Sequence, residues 1–202
     1  LSLIIPLLAV IVNYSKTAAT KENKEPVFSV LISFAFLVFG ITNVLQIISS
    51  VSNLTPIISL TNFEYSVRYG YMYSLILILI PFVYYLVPKI YGREFTYGRL
   101  ESFNAYLLGI SVVATLSLNT LIGINSGFSW NAGANAGNPT IYGEGFLITW
   151  SLISTPYTLI LFLSLLFLLS TFLFTLSTLK AIISGSVTES ETVLEVPGDS
   201  YE

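Results

Sequence analysis

The chain has 202 residues, of which 54% are hydrophobic and only 9% charged, with a mean hydropathy of +0.80 and a formal net charge of −3. A water-soluble domain carries about a quarter charged residues, so this composition excludes an ordinary soluble globular protein and predicts lipid as the main solvent. Five of the acidic residues, Glu189, Glu191, Glu195, Asp199 and Glu202, lie in the C-terminal tail; the rest of the chain is mildly basic, without the concentrated charge that nucleic acid or an acidic substrate needs.

Cysteine and histidine are absent and Met72 is the single methionine. Heme, copper and zinc take imidazole, thiolate or thioether ligands in nearly every protein site. The chain is therefore expected to hold no cofactor or metal and to be no enzyme by itself.

The first apolar run, Leu1 to Val12, is shorter than the roughly 20 residues a helix needs to cross a 30 Å hydrocarbon core. A polar loop is expected from Asn13 to Pro26, with Lys16, Lys21, Glu22, Lys24 and Glu25. The second run, Val27 to Ser50, is long enough to span, and Asn43 and Gln46 in it should face protein rather than lipid. Residues 51–65 read as a connection. The third span is expected over Ser66 to Val87, ending at Pro88 because proline breaks the helical ladder.

A charged turn, Lys89 to Glu101, leads to a fourth span over Phe103 to Ile122, and a Gly/Asn-rich surface loop is expected from Gly123 to Gly145. The stretch from Phe146 to Ile183 exceeds one crossing. Pro156 is expected to divide it into a short interfacial or re-entrant piece and a span from Tyr157 to Lys180. The fold class expected is thus all-α, a polytopic transmembrane bundle of about five spans over residues 1–183, followed by an acidic, disordered tail over 184–202.

Alternating crossings place Lys16, Lys21, Lys24, Lys89, Arg93, Arg99 and Lys180 on one side and leave Arg68 alone on the other. The positive-inside rule then puts loops 13–26 and 89–101 and the tail in the cytoplasm of a multi-pass cell-membrane protein. An even number of crossings would scatter these charges. Asn13-Tyr14-Ser15 and Asn53-Leu54-Thr55 fit the N-glycosylation triplet, and only Asn53 falls on the outer side.

The segment Tyr84-Tyr85-Leu86-Val87-Pro88-Lys89-Ile90-Tyr91-Gly92-Arg93-Glu94 resembles the end of the tenth helix of heme–copper oxidase catalytic subunits, nearest to the cbb3-type oxidases and nitric oxide reductases. Gly123-Ile124-Asn125-Ser126-Gly127-Phe128-Ser129-Trp130 is similar to the motif after that family's eleventh helix, and Pro156-Tyr157 to the opening of its twelfth. Glu25-Pro26-Val27-Phe28 and Ser52-Asn53-Leu54-Thr55 resemble the family less specifically. The likeness spans residues 25–180, the C-terminal third of such a subunit.

Counting back from Pro88, the two heme-ligand histidines implied by the resemblance fall at Ser66 and Arg68, and Leu161 stands where an arginine is usual. A hydroxyl is a poor iron ligand and a guanidinium is always protonated. The resemblance therefore implies the family's helix arrangement without its chemistry. The expected function is a non-catalytic accessory subunit of a respiratory terminal oxidase-like complex. Its expected partners are other membrane subunits, lipid and a quinone at an interface, with no nucleic acid. A stand-alone transporter or channel is the alternative, weakened because no Asp, Glu, Lys or Arg falls mid-span.

Two readings stand for each remaining candidate. Arg68, with Glu64 four residues before it, either holds an anionic group such as a lipid phosphate or heme propionate, or snorkels to the interface. Tyr65, Tyr69, Tyr71, Tyr73, Tyr84 and Tyr85 either relay protons or electrons or form interfacial belts. Asn43 and Gln46 either line a polar pathway or join helices. Gly40, Gly109 and Ser111 are the small residues expected at helix contacts. The loop around Gly133, Gly137 and Asn138 lacks the strand-turn-helix context of a phosphate loop.

Overall fold

The computed structural model describes residues 26–59, 61–92, 95, 99–135 and 139–185, together with Ala9, Val12, Asn13 and Lys16; the side chains at 26, 88 and 132–153 are outside the description. It is almost entirely α-helical. The elements are α1 (Pro26–Ser49), a single turn α2 (Thr55–Ile58), α3 (Asn62–Tyr91), α4 (Arg99–Asn135) and α5 (Pro139–Ser184). Among the described residues, four helices are long and apolar enough to cross a membrane: Val27–Ser49, Asn62–Tyr91, Arg99–Asn131 and Ser154–Ser184.

These segments are helical because their apolar runs leave the backbone no partner in lipid except itself. Their packing follows from what each helix buries. On α1, Val27, Leu31, Ala35, Val38, Thr42 and Leu45 are buried, a stripe recurring every three or four residues. On α4, Ala105, Leu108, Val112 and Leu116 repeat the pattern, and both stripes meet Leu77, Ile80 and Tyr84 of α3. A second, smaller cluster of Leu45, Ile58, Phe63 and Val67 lies where α1, α2 and α3 meet.

Glycines set the closest approaches. A side chain at Gly109 would collide with the Phe34 ring, and one at Gly70 with Thr42 of α1 and Leu116 of α4. Gly123 lies against the backbone of Phe63 and Gly127 against the carbonyl of Ile57, so a glycine pair four residues apart seats α4 on α2 and the start of α3. Small residues at helix contacts are how bundles pack when lipid removes the hydrophobic drive. Gly109 and Ser111, which is buried, fulfil that expectation. Gly40 does not: nothing lies within 4 Å of the place its side chain would take.

The element boundaries depart from the sequence reading at several points. Helix α3 runs through Pro81 and Pro88 to Tyr91 and ends at Gly92, whose φ of +60° is the left-handed C-terminal stop that only glycine adopts freely. Proline removes one ladder bond, but in a packed membrane helix the neighbours can compensate. The expected loop from Gly123 to Gly145 is mostly helix, since α4 continues to Asn135 and α5 begins at Pro139.

The expected division at Pro156 is likewise absent, because α5 is one 46-residue helix with that proline inside it. At a rise of 1.5 Å per residue, α5 is about 69 Å long and α4 about 55 Å, well beyond a 30 Å hydrocarbon core. Near the other terminus, Asn13 and Lys16 are helical where a loop is expected. The expected first span and the acidic tail fall outside the described residues, except for Ala9, Val12, Ser184 and Gly185.

Topology gathers the charges. Lys89 closes α3, Arg99 opens α4, and Glu101 and Lys180 line one small pocket with Phe95. Arg68 lies in the second turn of α3, at the opposite end of the bundle. Four crossings already leave these basic residues on one side and Arg68 on the other, so the expectation that an even number would scatter them does not hold, and the charge pattern says nothing about residues 1–12.

Candidate functional site

Ser66 and Arg68, the two positions expected from the sequence resemblance to mark former ligand sites, point in opposite directions. Ser66 faces inward and is 2% exposed; its hydroxyl lies 3.1 Å from the Asn62 carbonyl and 3.5 Å from the Leu116 carbonyl of α4. The site is a closed helix contact. Arg68 faces outward with its side chain 74% exposed, and its Nη2 donates to Glu64 Oε1 at 2.5 Å. Two residues along a helix separate them by about 200°, which is why one is packed and the other free of the bundle.

The Glu64–Arg68 pair borders a cleft of about 250 Å³. Gln46 and Ser49 from the end of α1, Thr55, Ile58 and Ser59 from α2 and the residue after it, and Phe63, Glu64, Val67 and Arg68 from α3 line it. The chain builds this cleft by ending α1 at Ser49 and reversing through a single turn before α3 starts. Thr55 Oγ1 holds the reversal, 2.7 Å from the Ser49 carbonyl and 2.9 Å from the Val51 carbonyl. Gln46 Nε2 lies 3.3 Å from Ser49 Oγ, which itself donates to the Gln46 carbonyl. Polar atoms thus crowd the mouth while Ile58, Phe63 and Val67 supply an apolar wall. Asn53, the outer glycosylation candidate, is exposed in the same reversal.

The tyrosines divide into separate groups. Tyr65 and Tyr69 stack with ring centroids 5.9 Å apart, Tyr69 and Tyr73 follow at 6.3 Å, and Tyr73 meets Phe167 of α5 edge-on. Tyr71 lies on another face, its hydroxyl 3.4 Å from Asn43 Oδ1 and its ring against Phe39. Near the far end, Tyr84 is buried between Phe95 and Phe174, while Lys89 sits over the Tyr85 ring and bonds its hydroxyl. Tyr65 and Tyr69 at one end and Tyr85 and Tyr91 at the other are exposed, the distribution of interfacial belts.

Asn43 and Gln46 have different roles. Asn43 is buried, donates to the Phe39 carbonyl at 2.7 Å and joins α1 to α3 through Tyr71. Gln46 is exposed at the cleft. Gly133 is helical; Gly137 and Asn138 lie outside the described residues.

Among the described residues, sequence reasoning missed a buried polar contact between helices. Asn104 of α4 and Ser170 of α5 are 7% and 0% exposed. Ser170 Oγ lies 2.6 Å from Asn104 Oδ1 and 3.1 Å from the Asn104 carbonyl, and Asn104 Nδ2 donates to the Ser170 carbonyl at 3.1 Å. Each side chain serves the other's backbone, leaving no buried polar atom of the pair in lipid. Asn104 and Ser170 are equidistant from the α4–α5 connection, a relation that is visible only once that connection is placed.

No family model, no curated protein and no solved structure matches this chain.

Proposed function

We propose that this chain is a non-catalytic, multi-pass membrane subunit that packs against a heme-bearing subunit of a respiratory terminal oxidase-like complex. The observation that carries the reading is the state of Ser66 and Arg68. The position that would have to hold a ligand inside the bundle is a serine closed against the Leu116 carbonyl, and its companion is a surface arginine. Around them, among the described residues, the helices pack through glycine contacts and paired polar side chains, which suits a role in maintaining a shape.

Two further features fit this role. Helix α5 offers a long apolar face of Leu161, Leu165, Leu168, Phe172 and Leu179, all exposed. Lipid or neighbouring subunits would cover that face, with a quinone admitted at such an interface. The end bearing Lys89, Arg99 and Lys180 would lie in the cytoplasm with the acidic tail.

Gentle detergent extraction from the native membrane tests the reading, followed by an absorption spectrum and mass spectrometry of what co-migrates. Co-migration with a heme-bearing oxidase core, with no heme band from the isolated chain, is the expected result. A chain that migrates alone and colourless sinks the proposal and makes a transporter or channel the reading to pursue.

A further inference from the structure

We propose that the cleft between the end of α1 and the start of α3 seats the headgroup of an amine-bearing phospholipid, with Arg68 on the phosphate and Glu64 on the ammonium. The cleft lies where α1 ends its apolar run at Ser49 and α3 begins its own, the level at which headgroups meet a membrane helix. It does not depend on the chain's membership of a complex.

Its lining is divided as such a ligand is divided. Ile58, Phe63 and Val67 form the apolar wall for the glycerol end of the tails, while Gln46, Ser49, Thr55 and Ser59 surround the polar part. Arg68 has five N–H donors, and its bond to Glu64 engages Nη2. Its Nη1 and Nε groups remain to grip a phosphate, on a side chain that is 74% exposed. The stacked Tyr65 and Tyr69 rings are exposed on the same turns of α3, amphipathic residues that favour this depth.

Glu64 decides the headgroup. A carboxylate bonded to Arg68 repels a purely anionic lipid, whereas its second oxygen can accept from an ammonium group. A neutral headgroup carrying both charges matches the neutral pair; a glycerol or inositol phosphate does not. The volume of about 250 Å³ suits a headgroup rather than a whole lipid, the tails running down the outside of the bundle.

The test is native mass spectrometry of the full chain, released from detergent micelles containing equal amounts of an ethanolamine and a glycerol phospholipid. The wild-type chain should retain one ethanolamine lipid in preference. Arg68→Gln should lower that retention about tenfold, the loss of one charge-assisted contact. Glu64→Gln should shift the preference toward the glycerol lipid, and Lys180→Gln, at the opposite end, should change nothing. Circular dichroism of each variant confirms that the helices persist. Equal retention of both lipids, or an Arg68→Gln chain that retains as much as wild type, overturns the proposal. Displacement of the lipid by millimolar inorganic phosphate as readily as by phosphoethanolamine would assign the cleft to a soluble anion instead, and would also overturn it.

Discussion

Helices α4 and α5 lie side by side as an antiparallel pair, yet they are built on opposite principles. In the most apolar window of α4, 44% of residues are buried; in that of α5, only 6% are. Helix α4 is the central helix, with Gly109, Gly123 and Gly127 as hollows and Ser111, Thr115 and Asn104 turned inward. Helix α5 is more hydrophobic, with a mean hydropathy of 2.6 against 2.0, and packs chiefly along α4, leaving most of its surface outside the bundle. Between these two helices the more hydrophobic is the less buried, and the closest approaches of the other fall at small residues. This inverts the rule for proteins in water.

Substitutions can break that contrast. Gly123→Val places a branched side chain against the Phe63 backbone, which has no means to withdraw. It should destabilise the bundle by about 3 kcal/mol, the upper range for overpacking, seen as a lower midpoint in a denaturant titration in mixed micelles. A midpoint equal to wild type would mean that α4 does not seat on α3 at this point.

Ser170→Ala removes the hydroxyl from a wholly buried clamp and leaves Asn104 Oδ1 without that donor. The expected cost is about 1–2 kcal/mol, near the upper end for polar contacts in membrane bundles. Ser164→Ala is the matched control on the same helix, because Ser164 donates only to its own helix at Ile160. Similar losses from both would show that the clamp adds nothing beyond local hydroxyl bonding.

Arg68→Gln should reduce stability by only about 0.3–0.5 kcal/mol, the usual worth of an exposed pair four residues apart. A larger effect without added lipid would mark Arg68 as a structural residue. Smallest of all, Leu168→Val should leave the isolated chain within about 0.5 kcal/mol of wild type, because its side chain is exposed. The same change should weaken co-migration with a partner only if a subunit, rather than lipid, covers α5.

The same contrast explains what the sequence revealed and what it hid. Long apolar runs predict helices well, because lipid leaves a backbone few alternatives. Glycine and proline were harder to interpret. Gly123 and Gly127 signal a loop by composition, but here they are the hollows through which α4 approaches Phe63 and Ile57. Pro88 and Pro156 suggest helix ends, yet both helices continue past them.

The cleft was half legible. Gln46, Glu64 and Arg68 stand out as polar residues near span ends. Ser49, Thr55 and Ser59 join them only once the chain has reversed between α1 and α3. The Asn104–Ser170 contact joins residues 66 positions apart and depends on register, which no local pattern reports.

The Asn104–Ser170 clamp also bears on how the molecule is made. Only residues 136–138 separate α4 from α5, so closing this hairpin costs little chain entropy. A shift of one helical turn, about 5.4 Å, would strip the clamp of its hydrogen bonds together and leave their donors and acceptors in hydrocarbon. The pair therefore has one favoured register rather than a sliding range. During synthesis α4 and α5 can enter the bilayer already zipped, as one unit that docks onto α1 and α3.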